Sequence, residues 1–173
     1  MGIDVITRGW DRPDWIGTFY PDDLPEEWRL SYFANVFGAV LVPLDLWRRA
    51  DPEVLVGWAA DVPDRFGYYL EIAPGAPHQD RSRPAESLGP RLRGWVTLPC
   101  GRAADLPAWG HPGGEILARL APADLIATPR AALTWLSTLK SDAGARGALA
   151  ILADSPADGL RRWQELVLLA GLV

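Results

Sequence analysis

Three carboxylates, Asp45, Glu71 and Asp154, stand close to the ends of short apolar runs, and three arginines, Arg8, Arg48 and Arg130, stand at comparable places. Carboxylates in unlike surroundings can divide the roles of proton donor and acceptor. Arginine adds a planar fork that holds an anion. Such a set suits a hydrolase or lyase acting on a small polar or anionic substrate, although a salt-bridged, solvated rim is the commoner fate of mixed charges. Trp10, Trp15, Trp47, Thr97 and His111 lie near the same strand ends. With the three arginines they make up the candidate ligand-binding set. Other chemistries find little to work with. His78, His111 and Cys100 are the whole complement of histidine and cysteine, far apart along the chain, so neither a metal site nor a cofactor is expected. Cys100 reads as a small buried filler. The glycines of "GRAADLPAWGHPGG" have neither dinucleotide nor Walker spacing, and no nucleophile elbow occurs.

The elements that would carry these groups alternate. Strands are expected at Ile3–Gly9, Ala39–Trp47, Phe66–Pro74, Gly94–Gly101, Asp124–Arg130 and Ala148–Asp154. Between them, "LPEEWRLSYFANVFG" opens with Pro25 and two glutamates and repeats Leu30, Phe33, Ala34 and Phe37 at helical spacing. Asp51 and Pro52 start a second helix, "GGEILARLAP" reads as a short one, and "AALTWLSTLKSDAGARG" and the segment after Ser155-Pro156 read as two more. "GAPHQDRSRPAESLGPRLR" is polar and rich in Pro, Gly and Arg, and reads as an exposed excursion. Strand–helix alternation is the pattern of an α/β fold with about six parallel strands, as an open sheet or a (β/α) barrel. The 173 residues fit one domain over 1–173.

A loop near the start, "GWDRPDWIGTFYP", carries four aromatic residues and two prolines without helical or strand periodicity. Thr7-Arg8-Gly9-Trp10, Trp15, Gly17 and Phe19-Tyr20-Pro21 make a stretch that resembles the opening of the YecE-like family, a domain of unknown function (72) with a TIM-type barrel. Leu24-Pro25, Phe33-Ala34 with Phe37, Val40 to Pro43, Leu46-Trp47-Arg48, Trp58-Ala59 and the approach from Pro63 to Phe66 continue the similarity. "LGPRLRGWVTLPCG" and "GALAILADSPADG" carry it further, more thinly. In a barrel the aromatic loop would follow the first strand at the C-terminal face, where such folds build their sites. Packing is the commoner use of so many aromatic rings.

Two departures from the family shape the expected function. The chain is short for a complete barrel, which usually takes about 250 residues. The family's fifth strand looks reduced to "LPAWGHP", and no segment stands for the seventh, so a shortened or incomplete barrel is expected. Its polar strand-end positions are also replaced, by Leu41, Pro43, Thr97, Ala153, Asp154 and Gly110. The resemblance therefore implies a non-catalytic binding or assembly protein, with a homodimer or protein partner completing the sheet and a small-molecule ligand as the other occupant. A formal net charge of −5 argues against nucleic acid. The lone cysteine, the lack of a leader-like start and the absence of a long apolar run imply a cytoplasmic protein without a membrane segment.

Overall fold

In the computed structural model, residues 2–73, 81–97, 109–110, 116–144 and 148–172 are described. The strands are β1 (Ile3–Ile6), β2 (Ala39–Val42), β3 (Gly67–Ile72), β4 (Leu92–Thr97), β5 (Trp109–Gly110), β6 (Ile116–Leu120) and β7 (Ala148–Leu152). The helices are α1 (Arg29–Val36), α2 (Leu44–Arg49), α3 (Pro52–Ala60), α4 (Ser82–Leu88), α5 (Pro129–Gly144) and α6 (Ala157–Leu169). The result is a mixed α/β fold in which β2-β3-β4 form one parallel sheet and β1-β7-β6-β5 another, parallel except for the short antiparallel β5. An extension of β1 joins the two. Leu41 N–H donates to Thr7 O at 2.9 Å and Gly9 N–H donates to Leu41 O at 2.8 Å, bridging Arg8 to Leu41 in parallel. At the far side β4 runs up against β5 and β6.

Strands buried on both faces should read as continuous apolar runs rather than alternating ones. "AVLV" of β2 does so, with all four residues buried. Its outward side chains, Val40 and Val42, join the large core beneath the helices, with Leu30 and Phe33 of α1 and Leu55 of α3. Its inward ones, Ala39 and Leu41, meet Ile6, Tyr69, Val96, Ala118, Ala150 and Leu152. That second cluster draws on each of the six parallel strands, which is why the interior of the sheet is filled by side chains.

Several elements differ from the sequence reading. Pro43 ends β2 instead of lying within it, because its missing N–H and fixed φ suit the start of α2. Ile116–Leu120 is a strand and not the expected helix: pairing with β7 from Ile116↔Ala148 to Leu120↔Leu152 overrides the helix preference of Leu, Ala and Arg. The expected strand over 124–130 is a 3-10 turn, Ala123–Ala127, running into α5. Part of the expected excursion is helical, since Pro84 and Leu88 of α4 bury themselves in the core side. "LPAWGHP" contributes β5, only two residues long. Among the described residues no helix is long and apolar enough to cross a membrane.

Candidate functional site

The C-terminal ends of β1, β2 and β3 bring one pair of the anticipated groups together. β1 runs on to Arg8, and Gly9 turns the chain with φ +76, a value that favours glycine. Arg8 Nε donates to Glu71 Oε2 at 2.9 Å. The Glu71 side chain is 14% exposed and that of Arg8 49%. Leu44 N–H, in the first turn of α2, points to the same carboxylate oxygen at 3.4 Å, a position where negative charge meets unpaired helix donors. Trp47 is buried beside them and its Nε1 donates to the Glu71 carbonyl at 2.7 Å. Trp47 in turn meets Trp95 edge to face at 6.0 Å.

The other candidate acids do not join this pair. Asp154 accepts from Arg12 Nη1 at 3.0 Å and is 83% exposed. Asp45 lies exposed on α2. Arg12 also donates to Asp14 at 3.1 Å and lies 5.2 Å over the Trp15 ring, so it ties the aromatic loop to the end of β7. The hydrogen bond from Arg12 holds the Asp14 carboxyl below its usual pKa. Arg12 is not among the candidate residues; its place between Asp11 and Asp14 is the one sequence signal for this role. Arg48 is exposed, with its carbonyl accepting from Arg83 at 3.3 Å, and Arg130 is exposed at the start of α5. His111, like His78 and Cys100, lies outside the described residues.

Trp15 is enclosed at 1% exposure, stacked 5.8 Å from Phe33, edge to face with Phe19 and tilted against Tyr20 and Phe37. It is core and has no open face for a ligand. Tyr20, beside it, donates its hydroxyl to the Trp10 carbonyl, and burial raises its pKa well above the ordinary phenol value. Thr97 sits across from Ile72 at the end of β4, with its hydroxyl oxygen buried and without a hydrogen-bond partner among the described residues. Replacing it by valine removes that desolvated hydroxyl, so Thr97→Val is expected to raise stability by about 1 kcal/mol in urea unfolding. A loss instead would mean that the hydroxyl is satisfied in solution.

Beside the Arg8–Glu71 pair opens a cleft of about 760 Å³, lined in part by Arg8, Gly9, Trp10, Leu30, Pro43, Leu46 and Gly57. Asp11, Glu26, Glu27, Val54, Trp58 and Asp61 complete it. Trp10, 7% exposed, meets Trp58 edge to face at 5.2 Å. Of these, only Arg8 and Trp10 were anticipated as ligand-binding residues. The cleft forms where the aromatic loop, α1, α2 and α3 converge, and no local spacing records that approach. Among the described residues, no group of three or more His, Cys, Asp and Glu is placed to hold a metal ion.

The fold has a solved counterpart. A DUF72 family protein from Thermotoga maritima, known from a crystal structure at 2.20 Å, superposes with a TM-score of 0.59 over 96% of this chain and 99% of that one, at 12% identity. At that identity the likeness concerns the fold alone. None of the curated proteins compared with the chain matches it. The family model described as "Protein of unknown function DUF72" matches residues 5–139, a span that includes the aromatic loop, the Arg8–Glu71 pair and the whole cleft. The chain is thus a member of the DUF72 family.

Proposed function

We propose that this protein is a non-catalytic binding protein on a shortened (β/α) barrel, with its binding site in the cleft at the ends of β1 and β2. The observation that carries the reading is the Arg8–Glu71 ion pair. Glu71 is the most buried of the three candidate acids, and its charge is already engaged by a cation. The reading with separate acid and base groups needs a second carboxylate near Glu71, yet Asp154 pairs with Arg12 and Asp45 faces solvent. The shortened-barrel reading rests on the inner cluster to which all six parallel strands contribute and on the approach of β4 to β5 and β6. Three layers of interior side chains are usual in a full-size barrel. A protein partner, or a second copy of the chain, is the other occupant compatible with binding. Leu168 and Leu169, 65% and 75% exposed near the end of α6, are the apolar surface that favours it.

Native mass spectrometry of the untagged protein, purified gently from its own host, tests this. The expected spectrum shows a bound small molecule or a stoichiometric partner, retained in Glu71→Gln. A bare monomer, or a turnover that Glu71→Gln abolishes, overturns the reading. The latter result would favour a hydrolase or lyase.

A further inference from the structure

The cleft beside Arg8 has an aromatic wall and a one-signed rim. Trp10 and Trp58 stand edge to face, Leu30 and Pro43 line the inner surface, and Leu46 and Val54, 40% and 45% exposed, frame the mouth. Two of its charges are already matched, Arg8 by Glu71 and Asp11 by Arg29. Glu26, Glu27 and Asp61 are exposed to the cleft and make no side-chain hydrogen bond or ion pair with the described residues. Asp61 is also the C-cap residue of α3, where the carbonyl end of a helix adds partial negative charge and favours cations. Glu26 and Glu27 suit the turn that leads into α1. That role leaves their charges at the cleft and does nothing to explain Asp61, which lines it from the end of α3.

Tryptophan rings bury the apolar body of a ligand and attract rather than repel a nearby cation through the ring quadrupole. A volume of about 760 Å³ is that of a small-molecule pocket rather than a protein interface. We propose that the cleft takes a small organic cation, a protonated amine or guanidinium on an aryl or alkyl body. The apolar part would lie along Trp10, Trp58 and Leu30, and the charge would face Glu26, Glu27 and Asp61. The proposal rests on the binding reading above and adds the class of ligand.

Three probes of one shape and different charge test it: phenethylamine, phenethyl alcohol and 3-phenylpropionate, titrated calorimetrically into the full chain. The amine is expected to bind saturably, with the other two weaker by about tenfold or more. Added salt should weaken the amine, since the rim charges are exposed. A Glu26→Gln, Glu27→Gln, Asp61→Asn triple variant, verified as folded by circular dichroism, should lose about tenfold in amine affinity. Asp158→Asn, on the exposed face of α6, should not. Equal or tighter binding of the alcohol or the carboxylate overturns the cationic class while leaving the protein a binder. Undiminished amine binding in the triple variant, or no binding of any probe, overturns the proposal as well. The broader reading falls separately, on a native spectrum with neither adduct nor partner.

Discussion

Trp15→Ala is expected to lower the unfolding free energy by about 3–5 kcal/mol, the usual cost of truncating a large buried aromatic residue. The ring is sealed at 1% exposure and contacts four other aromatic rings, of which Phe33 and Phe37 belong to α1 and its cap. Its carbonyl oxygen also receives the N–H groups of Thr18, Phe19 and Tyr20, so the residue organises the loop from both its ends. Trp15→Phe separates packing from polarity. The Trp15 Nε1–H is buried without a hydrogen-bond partner among the described residues, and removing an unpaired donor offsets part of the lost volume. The phenylalanine variant should therefore cost only about 1 kcal/mol. Urea unfolding of both variants checks the pair. A loss below about 1 kcal/mol for the alanine variant would mean that the loop is not part of the cooperative core.

The second large effect is expected at the opposite end of the strands. Asp4 follows the same inward side of β1 as Ile6 and accepts hydrogen bonds from the Tyr69 hydroxyl, at 2.6 Å, and from Arg93. Arg93 also donates to the Arg65 carbonyl and covers Gly67 so closely that a Cβ there would lie 2.0 Å from its Nε. Burial first, and then the charge of Asp4, push the Tyr69 phenol far above its ordinary pKa, so it stays a donor. Asp4→Ala strands a phenol and a guanidinium at once. Breaking a buried charged network costs about 3–5 kcal/mol. Asp4 and Arg93 retain 25% and 35% of their side-chain exposure, which lowers the expected loss to about 2–3 kcal/mol. Tyr69→Phe removes one hydrogen bond and should cost about 1 kcal/mol. If the two substitutions are strictly additive in a double-mutant cycle, the groups do not act as one network.

How much of this could be read beforehand depends on where each element draws its stability. β1, β2, β3 and β7 announce themselves because their short, mostly apolar runs suit a sheet covered on both sides. β6 does not: "ILARL" has the composition of a helix and becomes a strand only through its place beside β7. The reverse holds at Ala123–Ala127, where Leu125 and Ile126 look strand-like but the prolines at 122 and 129 bracket a turn and open α5. At the site, the proximity of Arg8 and Glu71 follows from the parallel order β1, β2, β3, once the bridge through Leu41 sets β1 beside β2. The separation of Asp154 from that pair could not be foreseen, because Arg12 claims it from within the aromatic loop. The cleft walls are still less legible. Glu26 and Glu27 suit the turn into α1, and Trp58 reads as part of the apolar stripe of α3, so local sequence does not mark them as cleft residues, and Asp61 is a lone carboxylate after α3.

The place of β1, between β7 and the bridge to β2, has a consequence for how the chain is made. As synthesis proceeds, β2, β3 and β4 can pair with one another from residues 39–97 alone. β1 emerges before them all, yet its ladder partner β7, from Ala148 to Leu152, is among the last strands to leave the ribosome. For most of translation "IDVI", apolar but for Asp4, therefore has an open hydrogen-bonding edge, the form of nascent chain that chaperones and aggregating neighbours engage. Completion of β7 withdraws that edge, so the N-terminal strand is translated first and secured late.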